Sequence, residues 1–262
     1  MRKNALIHRL NHRGFTLVEL LSVIGIIALL AAILVPAVNQ VILTSSLATS
    51  SSNIRQLSAG MASYLSTNNH TFWPYRQIID NENQRGIAWW FGYEDVSSLG
   101  KPEGERSFNP DGGPLSGFIP GGINPDPSFD FTGKAFKPKY KFGYIGIGYN
   151  VLLGGGWSGY DENLFPSFFD FENPAKVVVF ATSAQVNTFQ SPASSDNPMI
   201  EEFYGIDDTN TTVHFRHRGE ALVAFADSSI GFLPMAEGTA DSRAPDAYVG
   251  RFAPVGSDQY LR

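Results

Sequence analysis

Arg13-Gly14-Phe15-Thr16-Leu17-Val18-Glu19-Leu20-Leu21 runs directly into Ser22-Val23-Ile24-Gly25-Ile26-Ile27-Ala28-Leu29-Leu30-Ala31-Ala32-Ile33-Leu34-Val35-Pro36-Ala37. From Phe15 to Val38 there are 24 residues, of which Glu19 alone is ionisable. At about 1.5 Å per residue this is ~36 Å of helix, enough to cross a bilayer core of about 30 Å with some tilt. A spanning segment must satisfy its backbone internally, so it is expected to be helical. The fourteen residues before it carry Arg2, Lys3, Arg9 and Arg13 and no acid. By the positive-inside rule this end stays cytoplasmic and the remainder lies across the membrane.

Glu19 is the anomaly. A carboxylate within a membrane helix costs about 2.5–3.5 kcal/mol on insertion scales and marks function by default. A cation beside it lowers that cost. Cleavage between Gly14 and Phe15 would make one, a new α-amine, on the same chain one turn away or on a neighbouring copy. A secretory signal peptide cut near Val35-Pro36-Ala37 is the competing reading, and a plain anchor is another. The apolar run exceeds the usual h-region of ~7–15 residues, and signal peptides do not place an acid inside it.

The Arg-Gly-Phe-Thr-Leu-Val-Glu-Leu-Leu stretch resembles the class III signal of type IV pilins and type II secretion pseudopilins. The resemblance implies cleavage after Gly14 by a prepilin peptidase and N-methylation of Phe15 by the same enzyme. It assigns Glu19 to pairing with a neighbouring subunit's N-terminus during assembly. It also places Pro36 where many pilins carry a helix-kinking proline. The physical cause of such a kink is a missing backbone donor and a ring clash.

Composition sets outer bounds. The net charge is −6, and a chain without its leader keeps 15 of the 19 Lys/Arg against 25 Asp/Glu. That acidity argues against nucleic acid as a partner, since phosphate binding needs clustered cations. The absence of cysteine excludes disulfides, thiol catalysis and cysteine-ligated zinc. Twenty-six Gly, 16 Pro, 20 Phe and 10 Tyr suggest an aromatic-packed domain with many loops.

Beyond the apolar run, Leu43, Leu47, Ile54, Leu57, Met61, Tyr64 and Leu65 recur at helical spacing, with a gap near Ser50-Ser51. This predicts one long helix, softened at Pro36 and at the Ser block, ending at Thr67-Asn68-Asn69. Asn53-Ile54-Arg55-Gln56-Leu57, the Asn68-Asn69 turn and Phe72-Trp73-Pro74 resemble the helix exit of a large-headed group within the same family. From Trp73 to Lys141 turn clusters dominate, which reads as an extended insertion; Ile87–Leu99 fits a strand or a short helix. Phe142–Leu153 reads as extended chain, and Gly146-Ile147-Gly148 lacks the continuation of a nucleotide loop. Lys176–Thr182 is expected to be a central strand. Thr211–His217, Glu220–Ala226 and Ile230–Leu233 read as three short strands joined by tight turns. His217 and Asp227 match the H-x9-D-G spacing of the large-headed group, but Ser228 stands where that group has Gly. Another turn type is therefore expected there, since φ > 0 is less easily met by Ser. The tail from Glu237 is expected to cover a sheet edge or stay loose.

Signals for chemistry are weak. His214 and His217 on a strand would face opposite ways, against a shared metal. Loop carboxylates such as Glu201-Glu202 and Asp207-Asp208 could suit calcium, but no complete ligand set emerges, and no metal or cofactor is expected. His217 and Asp227 have triad-like residue types without a nucleophile-elbow serine; a cross-hairpin hydrogen bond from His217 and a turn cap by Asp227 suit them better. Trp73, Trp89-Trp90 and Trp157 are core residues or, alternatively, a sugar- or surface-binding platform.

The expectation is an α+β chain: a long N-terminal helix packed on a C-terminal antiparallel β-sheet head with long loops. Its parts are a cleaved leader (1–14), a membrane and polymerisation helix (15–38), an amphipathic helix (39–66) and an exported head (67–262). The implied function is a non-enzymatic structural subunit of a type IV pilus or type II secretion pseudopilus. Its partners would be prepilin peptidase, sister subunits and inner-membrane lipid. The alternative is a tethered binding or enzymatic domain using a pilin-type anchor.

Overall fold

The computed structural model describes residues 16–119, 121–157, 165–257 and 260–261. The chain divides into two compact units, residues 1–45 and 46–262. Gly14 and Phe15 lie outside the described residues.

Helix α1 runs Leu17–Thr67, unbroken through Pro36 and through the Ser block. Pro36 has no N–H to give the carbonyl of Ala32. In the first unit the helix has no buried residue, and its leucines, isoleucines and valines are exposed on every side. The second unit holds the rest of α1, where Ser50, Ile54, Leu57, Ser58, Gly60, Met61 and Leu65 form a buried stripe at three- and four-residue spacing. Gly60 is needed in that stripe: a Cβ there would sit 2.5 Å from Ile119. The helix ends as Asn69 and His70 turn to positive φ, 54° and 57°, and the His70 N–H bonds back to the Leu65 carbonyl at 2.9 Å.

A five-stranded sheet carries the core of the second unit. Its strands are β4 (Ile147–Asn150), β5 (Val178–Thr182), β8 (Gly205–Ile206), β10 (Glu220–Phe225) and β11 (Ile230–Pro234), in the order β11-β10-β5-β4-β8. All pairs are antiparallel except β4 with β8. Every residue of β5 is buried, as its continuous β-branched and apolar run requires of a central strand. Leu222 and Ala224 on β10 join the cluster containing Ile54, Leu57 and Met61 of α1. Ala221 and Val223 face the other way, against Phe215, Phe252 and Leu261. The sheet is thus sandwiched between the second half of α1 and the C-terminal segment.

Three regions depart from the sequence reading. The supposed insertion after Trp73 contains a three-stranded antiparallel sheet of β1 (Arg76–Asp80), β2 (Arg85–Trp89) and β3 (Gly92–Asp95), followed by a one-turn helix, α2 (Val96–Leu99). The β2–β3 connection is Trp90-Phe91, and both are buried. Turn rules look for Gly, Asn or Asp, and this hairpin tip is instead pinned in the core by Trp90 Nε1 donating to the Tyr204 carbonyl at 2.6 Å.

The strand before β10 is not its neighbour. β9 (Val213–His214) pairs with β12 (Val249–Gly250), and β10 is flanked by β11 and β5. The tail is not loose: besides β12, it packs Phe252 and Leu261 on the sheet, the Val178 N–H donates to Tyr260 at 2.7 Å, and buried Asn150 donates to Leu261 at 2.9 Å. The remaining pair joins β6 (Gln185–Asn187) and β7 (Met199–Glu201).

Candidate functional site

Thr16 and Glu19 build the start of α1. The Thr16 N–H and hydroxyl both donate to Glu19 Oε2 at 2.8 Å, and the Glu19 N–H donates to Thr16 Oγ1 at 3.2 Å. This is a capping box, Thr-x-x-Glu, which satisfies donors that a helix start otherwise leaves orphaned. The Thr-x-x-Glu spacing that encodes it is legible in the sequence. The carboxylate therefore has local partners at the helix start, where the helix dipole also favours negative charge. Around it the helix is apolar on all sides. In water such a surface is untenable, and a helix of this kind belongs in lipid or in a bundle. α1 is long and apolar enough to cross a membrane.

A second polar site lies within the second unit. Asp126 and the Arg216 side chain are 1 % and 5 % exposed and pair at 2.9 Å. The Ser50 hydroxyl of α1 contacts Asp126 Oδ1 and lies 3.0 Å from Ser128 Oγ. Its proton goes to the carboxylate, the stronger acceptor, and Ser128 can donate to it in turn. The gap in the apolar stripe of α1 is thus a buried hydroxyl that ties the helix to an ion pair. Burial raises the Asp126 pKa, but Arg216, His217 and Ser50 outweigh it and hold the carboxyl far below the usual range. Arg216 Nη1 is 2.7 Å from His214 Nδ1. Burial and the Arg216 charge keep His214 neutral, its pKa well below the ordinary value, so Nδ1 accepts from the guanidinium. His217 Nε2 is 3.8 Å from Asp126 Oδ2. The two histidines therefore approach one ion pair, because the chain leaves β9 at Phe215 and strand alternation no longer separates them.

His217 and Asp227 are not brought together: one precedes β10 and the other follows it, ~20 Å of strand apart. His217 exchanges backbone hydrogen bonds with Glu220 at 3.0 and 3.2 Å. Asp227 Oδ1 accepts from the Ser229 N–H and hydroxyl at 2.9 and 2.6 Å. Ser228 has φ +71°, so this serine takes the left-handed conformation that Gly meets most easily. Its carbonyl accepts from the buried Ser58 hydroxyl of α1 at 3.1 Å, which fixes the turn against the helix. Trp73 and Trp90 are fully buried; Trp73 stacks on Tyr149 with ring centres 4.9 Å apart. They form core, not a platform. Among the described residues no group of three or more His, Cys, Asp or Glu could hold a metal.

The chain matches the prokaryotic N-terminal methylation motif over residues 9–35. With the long apolar helix and the β-rich second unit, this match supports placing the chain among type IV pilin-like proteins. In general terms the motif implies processing by a prepilin peptidase and assembly with other pilin subunits, and motif and helix together are consistent with membrane anchoring. No curated protein and no solved structure matches the chain.

Proposed function

We propose that this chain is a structural subunit of a type IV pilus or type II secretion pseudopilus, without enzymatic activity. The observation that carries the reading is the methylation motif ending in a helix apolar on all sides with one acid, Glu19, near its start. In this reading prepilin peptidase cuts between Gly14 and Phe15 and methylates Phe15. The leader is cytoplasmic and residues beyond the membrane helix are periplasmic or extracellular. While the subunit waits in the inner membrane, Thr16 supplies Glu19 with hydrogen bonds. During assembly a neighbour's terminal amine replaces or joins them, and packing against sister helices replaces lipid contacts.

Mass spectrometry of the N-terminus in membranes tests the processing step. A chain beginning at methylated Phe15 is expected; one retaining its first fourteen residues sinks the reading, and one beginning at Val38 identifies a secreted protein instead. Glu19→Val tests assembly: the variant should reach the membrane but fail to enter filaments, whereas a tethered monomeric domain would be unaffected.

A further inference from the structure

The sheet β1-β2-β3 carries a cavity of about 320 Å³, at the lower end of the ~300–1,000 Å³ of small-molecule sites. Register explains its shape. Gln77 is opposite Ala88, Ala88 is opposite Tyr93, and Tyr93 is bridged to Asn109. Directly opposed residues project from the same face of a sheet. One row therefore runs amide, methyl, phenol, amide across four adjacent segments, with the short Ala88 as its low point. Gln84 adds a third amide, and Pro74, Ile79 and Pro114 supply apolar wall. Tyr93 leans along the sheet: a Cβ on Gly86 would lie 2.9 Å from its hydroxyl and 2.1 Å from the Glu94 carbonyl. Any side chain there would run into that backbone carbonyl and crowd the hydroxyl.

None of the lining side chains is an acid or a basic residue. That composition selects the ligand. An anion or cation would lose its water without a counter-charge. A lipid chain would strip water from three amides for no return. A peptide added as a strand pairs along a sheet edge instead of filling this face, and the β3 edge that borders the cavity is already taken by Asn109, whose N–H and carbonyl pair with Tyr93 at 2.7 and 2.8 Å. Amides that both donate and accept suit hydroxyl groups, which also do both. Asn109 uses its Oδ1 on the Asp111 N–H at 3.1 Å, which leaves its NH2 for a ligand. The negative face of the Tyr93 ring can take the C–H edges of a pyranose. We propose that this cavity binds a neutral carbohydrate, a sugar ring or the end of an oligosaccharide. The proposal does not depend on processing or polymerisation of the chain.

The test is saturation-transfer NMR on the full chain in lipid nanodiscs. The probes are glucose, galactose, N-acetylglucosamine and their disaccharides, with N-acetylneuraminic acid as the charged comparison. At least one neutral sugar should receive transfer at millimolar concentration, and the acid sugar none. Ala88→Leu, which fills the low point, should abolish the signal. Gln77→Ala should weaken binding about tenfold, the effect of one lost hydrogen bond, and it decides the matter should Ala88→Leu misfold. Absence of transfer from every neutral sugar overturns the proposal. So does a preference for the acid sugar, or unchanged transfer in folded Ala88→Leu or Gln77→Ala.

Discussion

The two stretches of α1 on either side of Ser45 share one backbone geometry and have opposite surfaces. Up to Ser45 apolar side chains stand on every side and none is buried; from Ser50 to Leu65 a single stripe is buried against the sheet while the opposite face meets water. Uniform apolarity leaves no face for water, so the first stretch needs a non-aqueous surrounding. A stripe needs only one partner, and the second unit supplies it. The comparison teaches that hydrophobic content identifies the solvent of a helix, whereas hydrophobic pattern identifies its neighbour.

Five substitutions test this contrast. The largest effect is expected from Arg216→Ala, which leaves Asp126 charged, buried and unpaired; the second unit should lose about 3–5 kcal/mol, read from denaturant unfolding in nanodiscs, with membrane insertion intact. Ile54→Ala should cost about 2–5 kcal/mol in the same assay, while Leu30→Ala, in the first unit, should leave that transition unmoved. Equal effects of the two would break the comparison.

Glu202 supplies a pH test. Loss of water pushes its pKa up to about 7, more than the Tyr204 hydroxyl, the Ile145 N–H and the Lys139 charge pull it down. The folded form therefore holds a proton between its ordinary value, near 4.5, and 7 that the unfolded chain releases. Stability should fall as pH rises through this window, by about 3 kcal/mol, and level off above it. Glu202→Gln should flatten that slope; an unchanged slope in unfolding midpoints across pH would refute the assignment. The smallest change is Ser228→Gly, which relieves a left-handed serine and should add about 1 kcal/mol, measured as a small rise in unfolding midpoint. A loss instead would mean that the Ser228 side chain has a role beyond its φ.

Much of the helix was legible because periodicity survives in the chain: the stripe from Ile54 to Leu65 and the Asn-rich stop are local patterns. The central strand was legible for the same reason, since Val178–Thr182 is apolar at every position but the last. The hairpin tip at Trp90-Phe91 was not, because its turn is stabilised by burial and by a carbonyl on Tyr204, far away in sequence. The partner of β9 was hidden too: β12 is two residues long, and its pairing rests on the chain's return through the short 3-10 turn Pro245–Ala247, which carries no periodic signal. Ser50 read as a flaw in an amphipathic pattern because its partner, Asp126, lies 76 residues on.

What the chain determined by itself is the membrane-length helix with its single acid, the Thr-x-x-Glu start and the apolar central strand Val178–Thr182, all consequences of interactions within a few residues of one another. Tertiary structure alone decided that Asp126, Arg216 and Ser50 converge, that two tryptophans become core, and that Gln77, Ala88, Tyr93 and Asn109 stand in one row. Those outcomes depend on contacts between distant segments, whose free energy exists only once the chain has closed the loops between them.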